Sequence, residues 1–103
     1  MATKTFAGKI IEINEEGYLV NASEWTPDVA KEIAAEEGIE LTDLHFRVLD
    51  FIRDKAGSGV ALTIRSIGNS GIIDIKQFYQ LFPGGPLKKA SRIAGIKKPS
   101  SCV

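Results

Sequence analysis

The sequence predicts a mainly α-helical domain: a compact helical bundle with a small N-terminal β-hairpin and a flexible C-terminal arm. Residues 42–57 carry apolar side chains at helical spacing, and residues 26–38 open with a capping sequence and stop at a glycine. Residues 6–20 contain two apolar runs around a turn sequence. Residues 96–103 show no periodicity, and we call this segment the arm.

In the hairpin, residues 6–13 are expected to form the first strand and Tyr18–Val20 the second. Asn14–Gly17 supply the turn, in which Gly17 suits a positive φ. A two-stranded hairpin is only marginally stable by itself. We therefore expect it to pack against the helices.

The first helix is predicted from Thr26-Pro27-Asp28. Thr26 can act as the N-cap, Pro27 fits the first helical position, and Asp28 favours the positive end of the helix dipole. The helix should stop near Gly38 and bury a face formed by Val29, Ala30, Ile33 and Ala34.

The second helix has the clearest amphipathic pattern, with Thr42 as its cap and an end near residues 57–59. Its apolar face consists of Leu44, Val48, Leu49, Phe51 and Ile52. The side chains expected to face water are Asp43, Arg47, Asp50, Arg53 and Asp54.

Periodicity alone leaves residues 60–67 open between strand and helix. We expect a turn at residues 68–71, a short helix from Asp74 to Leu81, and a last basic helix from Leu87 to Ala94 that ends at Gly95. The chain shows no repeats or linkers, so we expect one domain over residues 1–95, followed by the arm.

The composition is that of an ordinary globular protein, with 44% apolar residues, 25% charged residues and zero net charge. No apolar run approaches the ~20 residues that span a bilayer, and the N-terminus lacks a signal-peptide pattern. These features predict a cytoplasmic protein without a membrane span.

Charge is unevenly distributed along the chain. Residues 1–54 contain 12 acidic and 5 basic residues, and residues 55–103 contain 1 acidic and 8 basic residues. Either the C-terminal half faces an anionic partner, or the two halves complement each other within one fold.

The single cysteine, Cys102, is the next-to-last residue. It cannot form an internal disulfide, which suits a reducing compartment. An eight-residue arm reaches at most about 26–29 Å, enough for the thiol to enter a partner's active site. Lys97 and Lys98 favour the reactive thiolate, whereas the terminal carboxylate opposes it. We therefore interpret Cys102 as a functional thiol.

Other chemistry is poorly supported. One cysteine and one histidine, His45, give no zinc-type ligand spacing, so neither a metal nor a cofactor is expected. His45 lies within the amphipathic helix and is interpreted as structural. Arg65, flanked by apolar residues, needs a carboxylate or a bound anion if it is buried. A further basic group could bind phosphate or an acidic protein surface, or simply be solvated: Lys88, Lys89, Arg92, Lys97 and Lys98.

The C-terminal third contains the runs 79–86, 88–90, 93–96 and 98–103, and in these it resembles the DsrC/TusE family. That family includes the gamma subunit of dissimilatory sulfite reductase and the sulfur-relay proteins of tRNA thiolation. Residues 16–19, Trp25, 38–42 and His45 also fall where the family has similar residues. The arm and motif positions are Tyr79, Phe82, Pro83, Gly85, Pro86, Gly95 and Pro99.

The resemblance implies a bundle of helix-turn-helix type, which favours helix over strand for residues 60–67. It also implies that Cys102 carries a persulfide, that Arg65 lies near the arm, and that Lys88 and Lys89 belong to a basic segment. The partners would be sulfur-donor and sulfur-acceptor proteins.

The chain departs from the family at three places. Ser91 stands where members that work with sulfite reductase have a second cysteine, so an intramolecular disulfide is impossible. Lys97 replaces a usual proline, and the stretch between Arg65 and Phe78 is several residues shorter than usual. These departures favour a one-cysteine carrier and suggest a different partner protein.

Three functions follow as hypotheses. The favoured one is a sulfurtransferase-type carrier, rather than a stand-alone catalyst, that accepts persulfide sulfur on Cys102. The alternative is an accessory subunit or regulator that docks on dissimilatory sulfite reductase. A helix-turn-helix DNA-binding regulator is disfavoured, because net charge is zero and basic residues do not cluster in residues 60–67.

Overall fold

Five α-helices follow an N-terminal β-hairpin in the computed structural model, which describes residues 2–59 and 63–96. The elements are β1 (Ala2–Phe6), β2 (Lys9–Ile13), α1 (Pro27–Glu36), α2 (Asp43–Gly57), α3 (Ile64–Gly68), α4 (Ile75–Leu81) and α5 (Pro86–Ile93). A short 3-10 turn at Ala22–Glu24 precedes α1. The predicted fold class, mainly α with a small hairpin, is confirmed.

The prediction of one strand over residues 6–13 was wrong. Ala7 and Gly8 have φ of 52° and 77° and turn the chain between β1 and β2. Positive φ at both central residues is the backbone of a two-residue hairpin turn. The strands are antiparallel, with Phe6 opposite Lys9.

The turn predicted at residues 14–17 is present as a second reversal of the chain. The amide of Gly17 donates to the Asn14 carbonyl at 3.0 Å, and Gly17 has φ of 85°. The predicted return strand contributes one isolated bridge, between Leu19 and Ile13. The segment after β2 therefore lies beside the hairpin without extending the sheet.

Local capping sequences begin α1 and α2 as predicted. The Thr26 hydroxyl accepts from the Val29 amide at 3.2 Å, and Pro27 takes the first helical position. Thr42 caps α2. All four predicted inner-face residues of α1 are buried. On α2 the buried residues of the predicted face are Val48, Leu49 and Ile52, and Leu44 and Phe51 are half-buried.

Of the segment 60–67, which the resemblance assigned to a helix rather than a strand, residues 64–67 belong to α3. Thr63 caps α3, and residues 60–62, part of the predicted segment, lie outside the described residues. The Asp74 carboxylate caps α4 by accepting from the Gln77 amide at 2.7 Å. The last helix begins and ends one residue earlier than predicted, because Pro86 occupies its first position after Gly85 at φ 88°.

One apolar core joins the hairpin to the helices, and α5 packs against both α1 and α2. Its largest fully buried side chains are Phe6, Ile11, Ile33, Leu49, Ile52, Ile67, Phe78, Phe82, Leu87 and Ile93. Across residues 2–59 and 63–96, none of the helices has the length and apolar character that a membrane crossing requires.

Candidate functional site: the exit of the last helix

Cys102, the predicted functional thiol, lies outside the described residues, as do Lys97, Lys98 and Pro99. The structure describes the helix that leads to the arm and the arm's first residue, Ile96. We call residues Ile93–Ile96, where the chain leaves α5, the α5 exit. The roles of the predicted site residues stay predictions.

Most motif residues before α5 build the core or set the start of the helix. Phe82 is fully buried and makes edge-to-face contacts with Phe78 and His45, with ring centroids 5.6 Å and 5.2 Å apart. Pro86 is buried and Gly85 has the positive φ that turns the chain into α5. Pro83 is exposed, and Tyr79 is 45% exposed.

His45 has structural hydrogen bonds at both ring nitrogens. Nε2 donates to the Leu81 carbonyl at 2.9 Å, which fixes the Nε2–H tautomer. Nδ1 then accepts from the Thr42 amide at 3.1 Å as the second half of a capping box. These bonds join the start of α2 to the end of α4. An open pocket of about 210 Å³ adjoins the ring, lined by Gly38, Ile39, Glu40, His45, Gln80, Leu81 and Pro83.

Arg92 points toward the N-terminal half of the chain. Its Nη1 donates to Glu37 at 2.8 Å, its Nη2 to Glu36 at 2.6 Å, and its Nε to the Gly17 carbonyl at 3.1 Å. Planar guanidinium groups suit such multiple contacts. Arg92 therefore ties α5 to the end of α1 and to the Asn14–Gly17 turn.

The other basic residues of the predicted group differ in exposure. Lys89 Nζ lies 3.8 Å from Glu37, whereas Lys88 and Arg65 are exposed. The ion pairs of Arg92 and Lys89 both cross from the acidic half to the basic half. They support the interpretation that the two halves complement each other within one fold.

Glu36 shows the electrostatic consequence of this arrangement. Burial opposes its ionisation, but hydrogen bonds and charges from Lys4 and Arg92 outweigh that effect and lower the pKa of its carboxyl below the ordinary 4.5. Glu36 is thus held as an anion between β1 and α5.

Ser91, which the family resemblance predicts to stand in place of a second cysteine, faces inward from α5 with no exposed surface. Its hydroxyl oxygen is buried and has no hydrogen-bond partner within the described part of the chain. A buried hydroxyl without a partner is unfavourable, because it has lost its hydrogen bonds to water. The space around Ser91 therefore accommodates a small side chain and does not require a hydroxyl group there.

Arg53 was predicted to face water, and that prediction was wrong. Its Nη1 donates to the Ala94 carbonyl at 2.7 Å and its Nη2 to the Ala22 carbonyl at 3.2 Å. Arg53 lies four residues after Leu49, at the edge of the buried stripe of α2, where a long side chain can cover apolar surface. That position is the sequence signal that could have identified it.

Trp25 completes these contacts. The Arg53 guanidinium lies over its ring, 4.3 Å from the centroid, and its indole Nε1 donates to the Ile93 carbonyl at 2.7 Å. Gly95 is buried at φ 71°, and a Cβ atom there would lie 2.5 Å from Trp25 Cδ1. The α5 exit is therefore in close contact with both Trp25 and Arg53.

Comparison with known proteins gives consistent matches along the whole chain. A family model described as DsrC-like protein matches residues 5–103. The dissimilatory-type sulfite reductase subunit gamma of Nitratidesulfovibrio vulgaris is 34% identical over 105 residues, covering 100% of both chains. Sulfurtransferase TusE of Escherichia coli K12 is 36% identical over 106 residues, covering 95% of this chain and 97% of that one. The NMR structure of Allochromatium vinosum DsrC superimposes with a TM-score of 0.83 at 35% identity, covering 98% of this chain and 97% of the other.

Proposed function

The chain belongs to the DsrC-like protein family, and from this premise we propose that it is a sulfur carrier. Cys102 accepts persulfide sulfur and the arm delivers it to a partner protein. The observation that carries the proposal is the likeness to a protein named a sulfurtransferase, which extends over nearly the full length of both chains. The one cysteine of the present sequence is Cys102, its next-to-last residue.

The chemistry requires only a thiolate and a persulfide donor. The Cys102 thiolate attacks the outer sulfur of a donor persulfide, a new S–S bond forms, and the donor leaves as a thiolate. Lys97 and Lys98 are close to Cys102 in sequence and favour its ionised form. The sulfur atom gained by the carrier equals the one lost by the donor, so no further oxidant is needed.

Release of the sulfur depends on a second molecule. Ser91 occupies the position at which a two-cysteine member would have its other thiol, and a serine cannot displace sulfur by closing a disulfide. An incoming thiolate therefore attacks the outer sulfur of the Cys102 persulfide and restores the Cys102 thiolate. We propose that this thiolate belongs to an acceptor protein.

Docking of the partner is assigned to the basic groups that the fold leaves exposed. Lys88 on α5 and Arg65 on α3 are exposed, whereas Arg92 and Lys89 lie beside Glu36 and Glu37. Exposed cations act mainly on the rate of encounter with an acidic surface. Lys88→Gln and Arg65→Gln are thus expected to weaken association most at low salt.

Intact-protein mass spectrometry after incubation with glutathione persulfide tests the proposal. The wild type should gain about 32 Da, one sulfur atom, and should lose it on addition of excess thiol. Cys102→Ser is the control and should gain nothing. The absence of the adduct on the wild type, or an equal adduct on Cys102→Ser, would overturn the proposal.

A second candidate function is an accessory subunit of dissimilatory sulfite reductase, favoured by the full-length likeness to a gamma subunit. Pull-down of a purified sulfite reductase by the tagged chain, read by siroheme absorbance, tests it. A docking subunit should retain the enzyme with Cys102→Ser as well as with the wild type. No retention by either chain would exclude this role.

A further inference from the structure

The α5 exit is held through its own backbone carbonyls. Ile93 accepts from the Trp25 indole and Ala94 accepts from the Arg53 guanidinium, each at 2.7 Å. Carbonyls in the last turn of a helix lack intrahelical partners, so external donors commonly satisfy them. Here both donors are side chains from distant parts of the chain.

The two donor side chains also hold each other. The Arg53 guanidinium lies over the Trp25 ring and its second nitrogen reaches the Ala22 carbonyl, so α2, the 3-10 turn and the α5 exit meet at one place. Burial lowers the pKa of the Arg53 guanidinium, which Asp50 partly opposes, and this agrees with a cation partly withdrawn from water.

The backbone just after these carbonyls has little room to move. Gly95 lies against the Trp25 ring, and the Ile96 amide donates to the Ser91 carbonyl at 3.2 Å while its side chain packs against the core. The chain is therefore tied to the body through Ile96. Cys102 comes six residues after Ile96, which limits their Cα distance to about 20–22 Å.

We propose that Arg53 and Trp25 are positioning residues for the Cys102 thiol: they fix the point and direction in which the arm leaves the helical body. This inference rests on the proposed function for its significance, because an arm with a fixed origin delivers sulfur only to a limited region beside the α5 exit. Neither side chain takes part in the sulfur chemistry.

The chain's one tryptophan and one cysteine allow a direct test. An acceptor fluorophore is attached to Cys102, and time-resolved energy transfer from Trp25 gives the distribution of donor–acceptor distances. Unlabelled samples of each variant correct for changes in the tryptophan lifetime. Arg53→Gln should shift the distribution to longer distances and widen it relative to the wild type.

Arg47→Gln is the matched control, since Arg47 is an exposed arginine on the same helix, and it should leave the distribution unchanged. Arg53→Lys keeps the positive charge, but one ammonium group cannot reproduce the guanidinium's paired contacts. It should give a smaller shift, and it keeps the test decisive if Arg53→Gln fails to fold. Far-UV circular dichroism checks that each variant is folded.

The inference would be overturned if Arg53→Gln gave the same distance distribution as the wild type and Arg47→Gln. If Arg53→Gln does not fold, the same result for a folded Arg53→Lys would overturn it. Persulfide uptake from glutathione persulfide is measured on the same variants. Uptake at the wild-type rate by Arg53→Gln is expected, because a small donor reaches the thiol from any direction. A shifted distance distribution without any uptake by the wild type would refute the sulfur-carrier proposal and leave the positioning role intact.

Discussion

Replacing Gly95 by alanine should destabilise the protein more than the same replacement at Gly38. Both glycines follow the end of a helix, with φ of 71° and 72°. A Cβ atom at Gly38 would meet nothing within 4 Å, whereas at Gly95 it would lie 2.5 Å from Trp25 Cδ1 and 2.9 Å from Trp25 Cβ and Cγ. Comparing Gly95→Ala with Gly38→Ala therefore separates the cost of a left-handed backbone from the cost of the contact with Trp25.

The magnitudes follow from these two effects. Left-handed backbone costs an L-residue about 1–2 kcal/mol, which both variants share. Overpacking a filled site adds about 1–3 kcal/mol, which only Gly95→Ala incurs. We therefore expect losses of about 1–2 kcal/mol for Gly38→Ala and about 2–5 kcal/mol for Gly95→Ala. The entropy that alanine removes from the unfolded chain is similar at the two sites and cancels in the difference.

Urea unfolding followed by far-UV circular dichroism measures both free energies of unfolding, with the slope of each transition as a check on two-state behaviour. Trp25→Ala combined with Gly95→Ala provides a further control, because removal of Cγ and Cδ1 should relieve part of the added loss. Equal losses for Gly95→Ala and Gly38→Ala would refute the close packing of the α5 exit against Trp25.

Three further predictions concern the body of the protein. Ser91→Ala should leave the free energy of unfolding unchanged or raise it by about 1 kcal/mol, since it removes a buried hydroxyl that has no partner in the described part of the chain. Ser66→Ala, by contrast, breaks the capping box of α3 and should lower the free energy of unfolding by about 1 kcal/mol. The pKa of Glu36 is lowered in the folded state, so its ionisation stabilises the fold above the ordinary pKa of 4.5, and this stabilisation disappears as the pH falls through the folded value. Urea titrations at several pH values should thus show wild type and Glu36→Gln converging in acid, and a constant difference would contradict the ion-pair assignment. His45→Phe leaves the Leu81 carbonyl without its hydrogen bond and should lower the free energy of unfolding by about 1–3 kcal/mol. The folded protein should still take up persulfide sulfur, and loss of uptake would contradict a structural role for His45.

Elements with local determinants could be predicted from the sequence. Thr26, Thr42 and Asp74 cap helices through bonds to amides three residues on, and those bonds depend only on nearby residues. The hairpin turn was missed for a local reason as well. Alanine rarely adopts positive φ, so Ala7 gave no sign of a turn, and Gly8 alone was a weak signal inside an apolar run.

The surroundings of the candidate site depend on residues far apart in the chain. Arg92 contacts groups 55 to 75 residues away, and Arg53 contacts a carbonyl 41 residues away. Periodicity places a side chain on a face of its helix but does not identify the backbone that packs against it. The role of Arg53 at the α5 exit therefore became visible only in the structure, whereas Cys102 stood out by its position in the sequence.

The three contacts of Arg92 also have a consequence for how the protein opens. One side chain joins the Asn14–Gly17 turn, the end of α1 and α5, so separating any one of them from the others breaks charged hydrogen bonds. Groups linked in this way tend to open as one cooperative unit. Amide hydrogens in the Asn14–Gly17 turn should therefore exchange with solvent at rates governed by the release of α5, and the turn and α5 would lose protection together.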